Sequence, residues 1–416
     1  MINTKKNVLI VIPNLGGGGA ERQATYIANL LNKDKFNVYM FLFEKKGIFL
    51  QDLNTDILIE STPSYINYIF KNIPIIRQLI NIPFLIRVIL KFNINVIVSR
   101  IWMTSIISFL SLLLIRGKNK IAFFPTEDCF PEKDTSLTAT KLSFLKKFLI
   151  KKAYNYSTHV ISISNEMTKC LENFYNLSNN KILTIYNGVD LNKFQYSARA
   201  FRNFDKDKTY RLLSIGRFTY QKGFDILLYA VKKLREENYN VHLNIFGNGP
   251  LKEELVDLKN KIGLNDHECL INPFNDKIID EYHRNDIFIL SSRYEGLVLV
   301  LMEALACGIP IVSTDCKSSP SEILDFGRCG HLVIPESADS LAEGIKKVIT
   351  NYDIGIKKAE QGRFFAEEKF DINRIVNRYE DLFCICDTRS RTRIRTDWRR
   401  ISNASASVVE KPKTYI

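Results

Sequence analysis

The chain has 416 residues, 46% of them hydrophobic and 25% charged, with a formal net charge of +13. That length exceeds one compact core, so two domains are expected, and the composition excludes a disordered chain. The excess of cations favours anionic partners, leaving phosphorylated substrates, nucleic acid and acidic lipid surfaces for the motifs to decide among.

In chain order, lysines at 5 and 6 precede an apolar run at 8–12. The run is about half the length of a signal segment and leads into glycines, so it reads as a buried first strand. Further short apolar runs at 38–43, 95–99, 120–124, 159–164 and 182–185 read as strands separated by helix-length segments. The apolar stretch 101–115 carries Thr104, Ser105, Ser108 and Ser111. It falls short of the roughly 20 residues that span a bilayer, so no integral membrane segment is expected.

Residues 141–152 (KLSFLKKFLIKK) read as a basic amphipathic helix, with Leu142, Phe144, Leu145, Phe148 and Leu149 on one side and Lys146, Lys147 and Lys151 on the other. It could rest on an acidic membrane surface or pack on its own sheet. The apolar segment 73–90, punctuated by arginine, adds weight to the membrane reading.

A second series of strands follows at 210–215, 241–246, 269–271, 287–290, 309–313 and 330–333. Strands apolar along their whole length, alternating with helices, define an α/β chain with two doubly wound parallel sheets. The polar stretch 195–208 lies between the series. The expected organisation is an N-terminal Rossmann-like domain over 1–195, a linker over 196–208 and a second Rossmann-like domain over 209–370. A terminal helix over 371–386 packs back on the first domain, and a basic, disordered tail over 387–416 carries six arginines. Two such domains facing across a cleft bind ligands at the carboxyl ends of their strands. The eight cysteines form no CxxC pair, which argues for reduced thiols in a cytoplasmic protein.

The chemistry concentrates in the second half. A strand ends at Ile215, and Gly216-Arg217-Phe218-Thr219-Tyr220-Gln221-Lys222-Gly223 follows before a helix near Phe224. A guanidinium fork and an ammonium five residues apart can clamp a diphosphate from two sides. After the strand at 287–290 comes Tyr294-Glu295-Gly296 and an apolar helix ending at Gly308, with Glu303 inside it. The amides following Gly296 (Leu297, Val298, Leu299) suit a phosphate. Carboxylates accept from hydroxyls, so Glu295 and Glu303 suit the sugars that flank a diphosphate. A glutamate among Met302, Ala304, Leu305 and Ala306 also needs a partner.

GRFTYQKGFDILLYA followed by EGLVLVLMEALACGIPIVSTD resembles the paired C-terminal motifs of the family-4 retaining glycosyltransferases, which have the GT-B fold. IYNGVD at 185–190, FGNGP at 246–250 and PSEIL at 320–324 add to the likeness. The resemblance implies that Arg217 and Lys222 bind the donor diphosphate and Glu303 the ribose. Glu295 would act at the transferred sugar, and Asn272 to Phe274 would line the base pocket. It implies a nucleotide-sugar donor, a UDP-sugar in the first instance, with no metal and no cofactor, because the cations neutralise the leaving group.

Gly16–Gly19 with Ala20-Glu21-Arg22 resembles the GGAER loop of the polysaccharide and oligosaccharide members, so Gly17, Gly18 and Gly19 are candidates for an acceptor or phosphate loop. This implies a glycan or lipid-linked glycan acceptor, handled at the inner face of the cell membrane. Many relatives carry a histidine after the fourth N-domain strand, where this chain reads Phe124-Pro125-Thr126-Glu127-Asp128. Glu127 or Asp128 is a candidate replacement, Glu127 foremost as a catalytic group, orienting the acceptor hydroxyl or accepting its proton; otherwise it is a turn carboxylate.

A nucleotide-sugar epimerase of the same architecture is the alternative reading. A dinucleotide oxidoreductase is disfavoured, because GxGxxG fails at Arg22 and at Lys252. Nucleic acid is not expected as a partner, since the specific basic pair lies at a strand end rather than on an aromatic-interleaved patch.

Overall fold

The computed structural model describes residues 5–70, 72–115, 121–132, 143–200, 204–205, 207–274, 277–296, 298–317 and 319–385. It divides into two compact units, Met1–Ile185 with Ile375–Ile416, and Tyr186–Arg374. The basic tail expected over 387–416 lies outside the described residues.

Unit 1 is built on a seven-stranded parallel sheet: β1 (Lys6–Ile12), β2 (Phe36–Leu42), β3 (Leu58–Ser61), β4 (Val96–Arg100), β5 (Ala122–Glu127), β6 (Val160–Ser162) and β7 (Ile182–Thr184). Their order is β3-β2-β1-β4-β5-β6-β7, with β1 hydrogen-bonded to both β2 and β4. Val8 to Ile12 are buried on both faces, which explains their unbroken apolar run. Strand β3 escaped the sequence reading because it is a short edge strand (LIES) without a buried apolar run.

The helix Ile372–Ile385 enters unit 1 from Ile375 onward. Lys6 Nζ donates to Phe383 O at 2.9 Å, Asn32 N donates to Glu380 Oε1 at 2.7 Å, and the Phe383 ring packs edge-on against Phe36.

The helix Trp102–Leu114 buries Thr104, Ser105, Ser108 and Ser111, and its Ser111 hydroxyl returns to Ile107 O. Among the described residues no helix is long and apolar enough to cross a membrane. The basic amphipathic stretch forms the helix Ser143–Tyr156, with Leu142 outside the described residues. It is seated by Ile150, Ala153 and Tyr154, whereas Phe144, Leu145 and Phe148 are exposed. The side rich in phenylalanine is therefore not the one that packs on the sheet.

Unit 2 holds a six-stranded parallel sheet: β8 (Tyr210–Ile215), β9 (Val241–Phe246), β10 (Cys269–Asn272), β11 (Ile287–Leu290), β12 (Ile311–Thr314) and β13 (His331–Val333), in the order β10-β9-β8-β11-β12-β13. Its core runs through Leu212, Leu243, Ile289 and Val312, packed against Leu227, Val231 and Ile345.

The boundary differs from the expected one. Division falls at residues 185 and 186, and the expected linker belongs to unit 2. The physical reason is anchoring. Phe194 packs edge-on against Tyr282, and the Arg199 guanidinium donates to three backbone carbonyls, Tyr282 O at 2.5 Å, Asn285 O at 2.6 Å and Gly308 O at 3.2 Å. A polar composition hid a segment held by backbone acceptors.

Candidate functional site

In unit 2 the loops at the carboxyl ends of β8, β9, β10 and β11 are joined to one another. Gly216 N donates to Phe246 O at 3.0 Å and Phe218 N to Asn248 O at 2.9 Å. Gly247 N donates to Asn272 O at 3.0 Å, and Gly247 O accepts from Phe274 N at 3.2 Å. Backbone approach is so close at Gly247 that a Cβ there would lie 1.9 Å from Gly216 O. Asn272 and Phe274 are thus fixed through main-chain atoms, and the Phe274 ring is partly exposed.

Lys222 ends a 3₁₀ turn, Tyr220–Lys222, closed by Gly223 in the left-handed region at φ 61°. The turn aims its ammonium at Glu295, 2.6 Å from Oε1. Glu295 is 5% exposed, and its carboxylate also accepts from Gln221 Nε2 at 3.1 Å and from the Ser292 hydroxyl. Three donors compensate a carboxylate that burial alone would disfavour.

A second layer fastens the two loops. Arg293 donates through Nη1 and Nη2 to the Asp225 carboxylate at 2.9 and 2.6 Å, reaches Tyr220 O at 2.8 Å and lies over the Tyr220 ring. Burial alone would raise the Asp225 carboxyl, but hydrogen bonds and charge from Arg293 outweigh it and hold the group below its ordinary value of 3.8. Ser291 Oγ donates to Lys222 O at 2.9 Å, and Arg293 N donates to Gln221 O at 2.8 Å.

The apolar helix begins at Leu299, with Val298 as its N-cap, and ends with Gly308 in the left-handed region at φ 68°. Val298 offers no side-chain cap to the first turn. Leu297 lies outside the described residues. Gly296 is held by the Ser319 hydroxyl on its carbonyl at 2.6 Å. Glu303 is 4% exposed, and Oε2 accepts from the Tyr282 hydroxyl at 2.8 Å. Tyr282 is itself fully buried, against Phe288 and Phe194.

Arg217 differs from these residues. It is exposed, and among the described residues its guanidinium has no partner. One side of the loop therefore presents an available fork, and the other an ammonium already charge-paired. The sequence reading named Lys222, Arg217, Glu295 and Glu303 but missed Gln221, Ser292, Tyr282 and the Arg293–Asp225 pair. Their roles depend on side chains brought together from separate strands.

In unit 1 the glycine loop follows β1. Leu15 N donates to Lys46 O at 2.9 Å and Gly16 N to Asn14 Oδ1 at 2.9 Å. Gly18 is the N-cap of the helix Gly19–Leu30 in ordinary extended backbone, and a Cβ there would strike the Glu21 carboxylate at 2.2 Å. At Gly17 the nearest side-chain atom is 3.7 Å from a built Cβ, so that position is open.

Glu127 ends β5. It is 2% exposed and accepts from the Tyr154 hydroxyl at 2.6 Å. Burial, then the Glu127 charge, pushes the Tyr154 phenol well above its usual range, so Tyr154 stays a donor. Asp128 pairs with the fully buried Arg100.

Two parallel-sheet Rossmann-like units define the GT-B class. Residues 17–193 match the model of Glycosyltransferase Family 4, and residues 197–363 match that of Glycosyl transferases group 1. The chain belongs to the GT-B group 1 glycosyltransferases.

It is 34% identical over 195 residues to an uncharacterized glycosyltransferase of Methanocaldococcus jannaschii, covering 45% of this chain and 46% of that protein. The chain spans about half the length of the first curated relatives it matches. It is 27% identical over 85% of its length to the N-acetylgalactosamine-N,N'-diacetylbacillosaminyl-diphospho-undecaprenol 4-alpha-N-acetylgalactosaminyltransferase of Campylobacter jejuni, covering 92% of that protein. Among solved structures, Anabaena HepE in complex with UDP superposes with a TM-score of 0.71 at 17% identity, over 90% of this chain and 98% of that one.

Proposed function

We propose that the protein is a retaining, metal-independent glycosyltransferase that moves a sugar from a nucleotide-diphosphate donor to a glycan or lipid-linked glycan in surface polysaccharide or oligosaccharide assembly. A UDP-sugar is the favoured donor, in keeping with the UDP held by the HepE structure. A lipid-linked acceptor accords with the diphospho-undecaprenol in the name of the Campylobacter relative. The observation that carries the reading is the Lys222–Glu295 pair, a cation and a carboxylate brought together from the carboxyl ends of the adjacent strands β8 and β11, beside the exposed Arg217.

In this reading Arg217 and Lys222 take the diphosphate, joined by the backbone after Gly296, and Glu303 takes the ribose hydroxyls. Asn272 and Phe274 border the base. Glu295 accepts from a hydroxyl of the transferred sugar. As the bond from the sugar's anomeric carbon to the diphosphate breaks, charge grows on the leaving oxygens. The two cations stabilise it, Lys222 by turning from Glu295 to the phosphate. On the acceptor side, Gly17, Gly18 and Gly19 offer bare backbone, and Glu127, held by Tyr154, orients the attacking hydroxyl.

The test is a panel of UDP-, GDP-, ADP- and TDP-sugars, scored for hydrolysis and for protection against thermal unfolding. One donor should protect and turn over, and Lys222→Ala and Glu303→Ala should lose that protection. Full protection in both variants would overturn the site assignment. Conversion of the donor to its epimer without an acceptor would overturn the transferase reading.

A further inference from the structure

We propose that the carboxyl rim of the unit 1 sheet is a docking surface for an anionic lipid bilayer, with the helices Ser64–Ile69 and Pro74–Leu79 and the first turns of the Ser143–Tyr156 helix as its points of contact. This rests on the lipid-linked acceptor reading above and assigns the surface that would meet the lipid.

The placement follows from topology. In a parallel sheet the chain leaves each strand at its carboxyl end and returns at the amino end of the next. The helices Ser64–Ile69 and Pro74–Leu79 come directly after β3, so they lie at the carboxyl rim. Two contacts tie them there: Asn67 Nδ2 donates to Phe43 O at 2.8 Å, and Arg77 pairs with Glu44. Both acceptors lie just past the end of β2. Glu44 N in turn donates to Pro13 O at 2.9 Å, beside the glycine loop. The Ser143–Tyr156 helix precedes β6, so its first turns lie toward the same rim. Lys146 Nζ sits over the Trp102 ring, two residues past the end of β4.

Both segments present apolar side chains to solvent. Phe144 is 83% exposed, Tyr65 and Ile69 are each 64% exposed, and Leu145, Phe148 and Ile75 are also exposed. Phe144 and Phe148 are one turn apart on one helix face. Exposed apolar side chains on two segments at one rim of the sheet mark an interaction surface.

Charge selects the partner. No aspartate or glutamate occurs from residue 61 to 126 or from 135 to 165, while lysines at 146, 147, 151 and 152 interleave with the exposed phenylalanines. A second copy of this chain would bring like charges together. An anionic lipid surface supplies both the apolar phase and the counter-charge.

The rim that bears the glycine loop would then also be the side facing the bilayer, so an acceptor anchored by a lipid reaches the loop without leaving the membrane. The apolar prongs enter the headgroup region while the lysines remain at its anionic surface.

The test is vesicle co-sedimentation of the full chain with phosphatidylcholine vesicles containing phosphatidylglycerol, against pure phosphatidylcholine. Hydrolysis of the donor is read in the same samples without any acceptor. Wild type should sediment with the anionic vesicles. Phe144→Ser with Phe148→Ser, and separately Tyr65→Ser with Ile69→Ser, should each weaken binding by about tenfold or more. These exposed substitutions leave the fold intact, so donor hydrolysis should be unchanged. Wild type that ignores anionic vesicles, or variants that bind as wild type does, would overturn the docking surface. So would loss of a homodimer in the variants with no change in vesicle binding. Patch-dependent vesicle binding with no donor turned over would support the surface and sink the transferase reading alone.

Discussion

Lys222 Nζ lies 2.6 Å from Glu295 Oε1, so the cation assigned to the diphosphate is charge-paired before any donor arrives. Gln221 and Ser292 also donate to that carboxylate, which means Glu295 keeps partners when Lys222 turns toward phosphate. The pair is a preorganised switch between two acceptors, carboxylate and phosphate. Lys222→Ala should lower kcat/KM for the donor by about a hundredfold, about 3 kcal/mol, with loss of thermal protection by UDP. Glu295→Gln should keep that protection and lose turnover. Equal loss of UDP protection in both variants would contradict the division of labour.

Tyr282 places Glu303. Its hydroxyl donates to Oε2 at 2.8 Å from a fully buried ring. Tyr282→Phe removes one donor from a buried carboxylate and should cost about 1–2 kcal/mol of stability. It should raise KM for the donor severalfold while kcat changes little, since the ribose does not react. Steady-state kinetics beside a denaturant titration separates the two effects, and a fall in kcat alone would refute the positioning role.

Much of this was legible in the sequence, for identifiable reasons. Residues 8–12 or 287–290 announce a strand because every side chain is buried, whereas Leu58–Ser61 does not because its edge position leaves all four partly or fully exposed. Lys222 and Glu295 stood out by residue type at strand ends. Asp225 and Arg293, 68 residues apart, and Tyr282 and Glu303, 21 apart, carry no local signal of their pairing. The amphipathic pattern of KLSFLKKFLIKK announced a helix but not its buried side. Ile150, Ala153 and Tyr154 seat it, one turn beyond the phenylalanines.

Glycines in the two loops should respond very differently to a methyl group. At Gly247 a Cβ would meet Gly216 O at 1.9 Å, a backbone atom that cannot step aside. At Gly17 the nearest atom stands at 3.7 Å. Gly247→Ala should therefore destabilise by about 3 kcal/mol or more, or fail to fold. Gly17→Ala should melt within a few degrees of wild type. Equal melting temperatures would refute the close approach.

The Arg293–Asp225 clamp gives a prediction in pH. Asp225 has its folded pKa depressed below 3.8, so the folded state binds its proton less readily than the unfolded chain. The stabilisation is then fully present above that value and is lost as pH falls through the lower, folded value. The Asp225 side chain is 41% exposed, so screening limits the contribution to on the order of 1 kcal/mol. Asp225→Asn should unfold more easily than wild type at neutral pH by about that amount, and the gap should close as pH drops below 3.8. Because the clamp holds Tyr220 O and the loop ending at Lys222, the variant should also bind the donor more weakly at neutral pH. Denaturant titrations of both proteins across acid pH test the sign. A gap that widens toward low pH would mean that the folded pKa of Asp225 is raised, and that Arg293 does not hold it ionised.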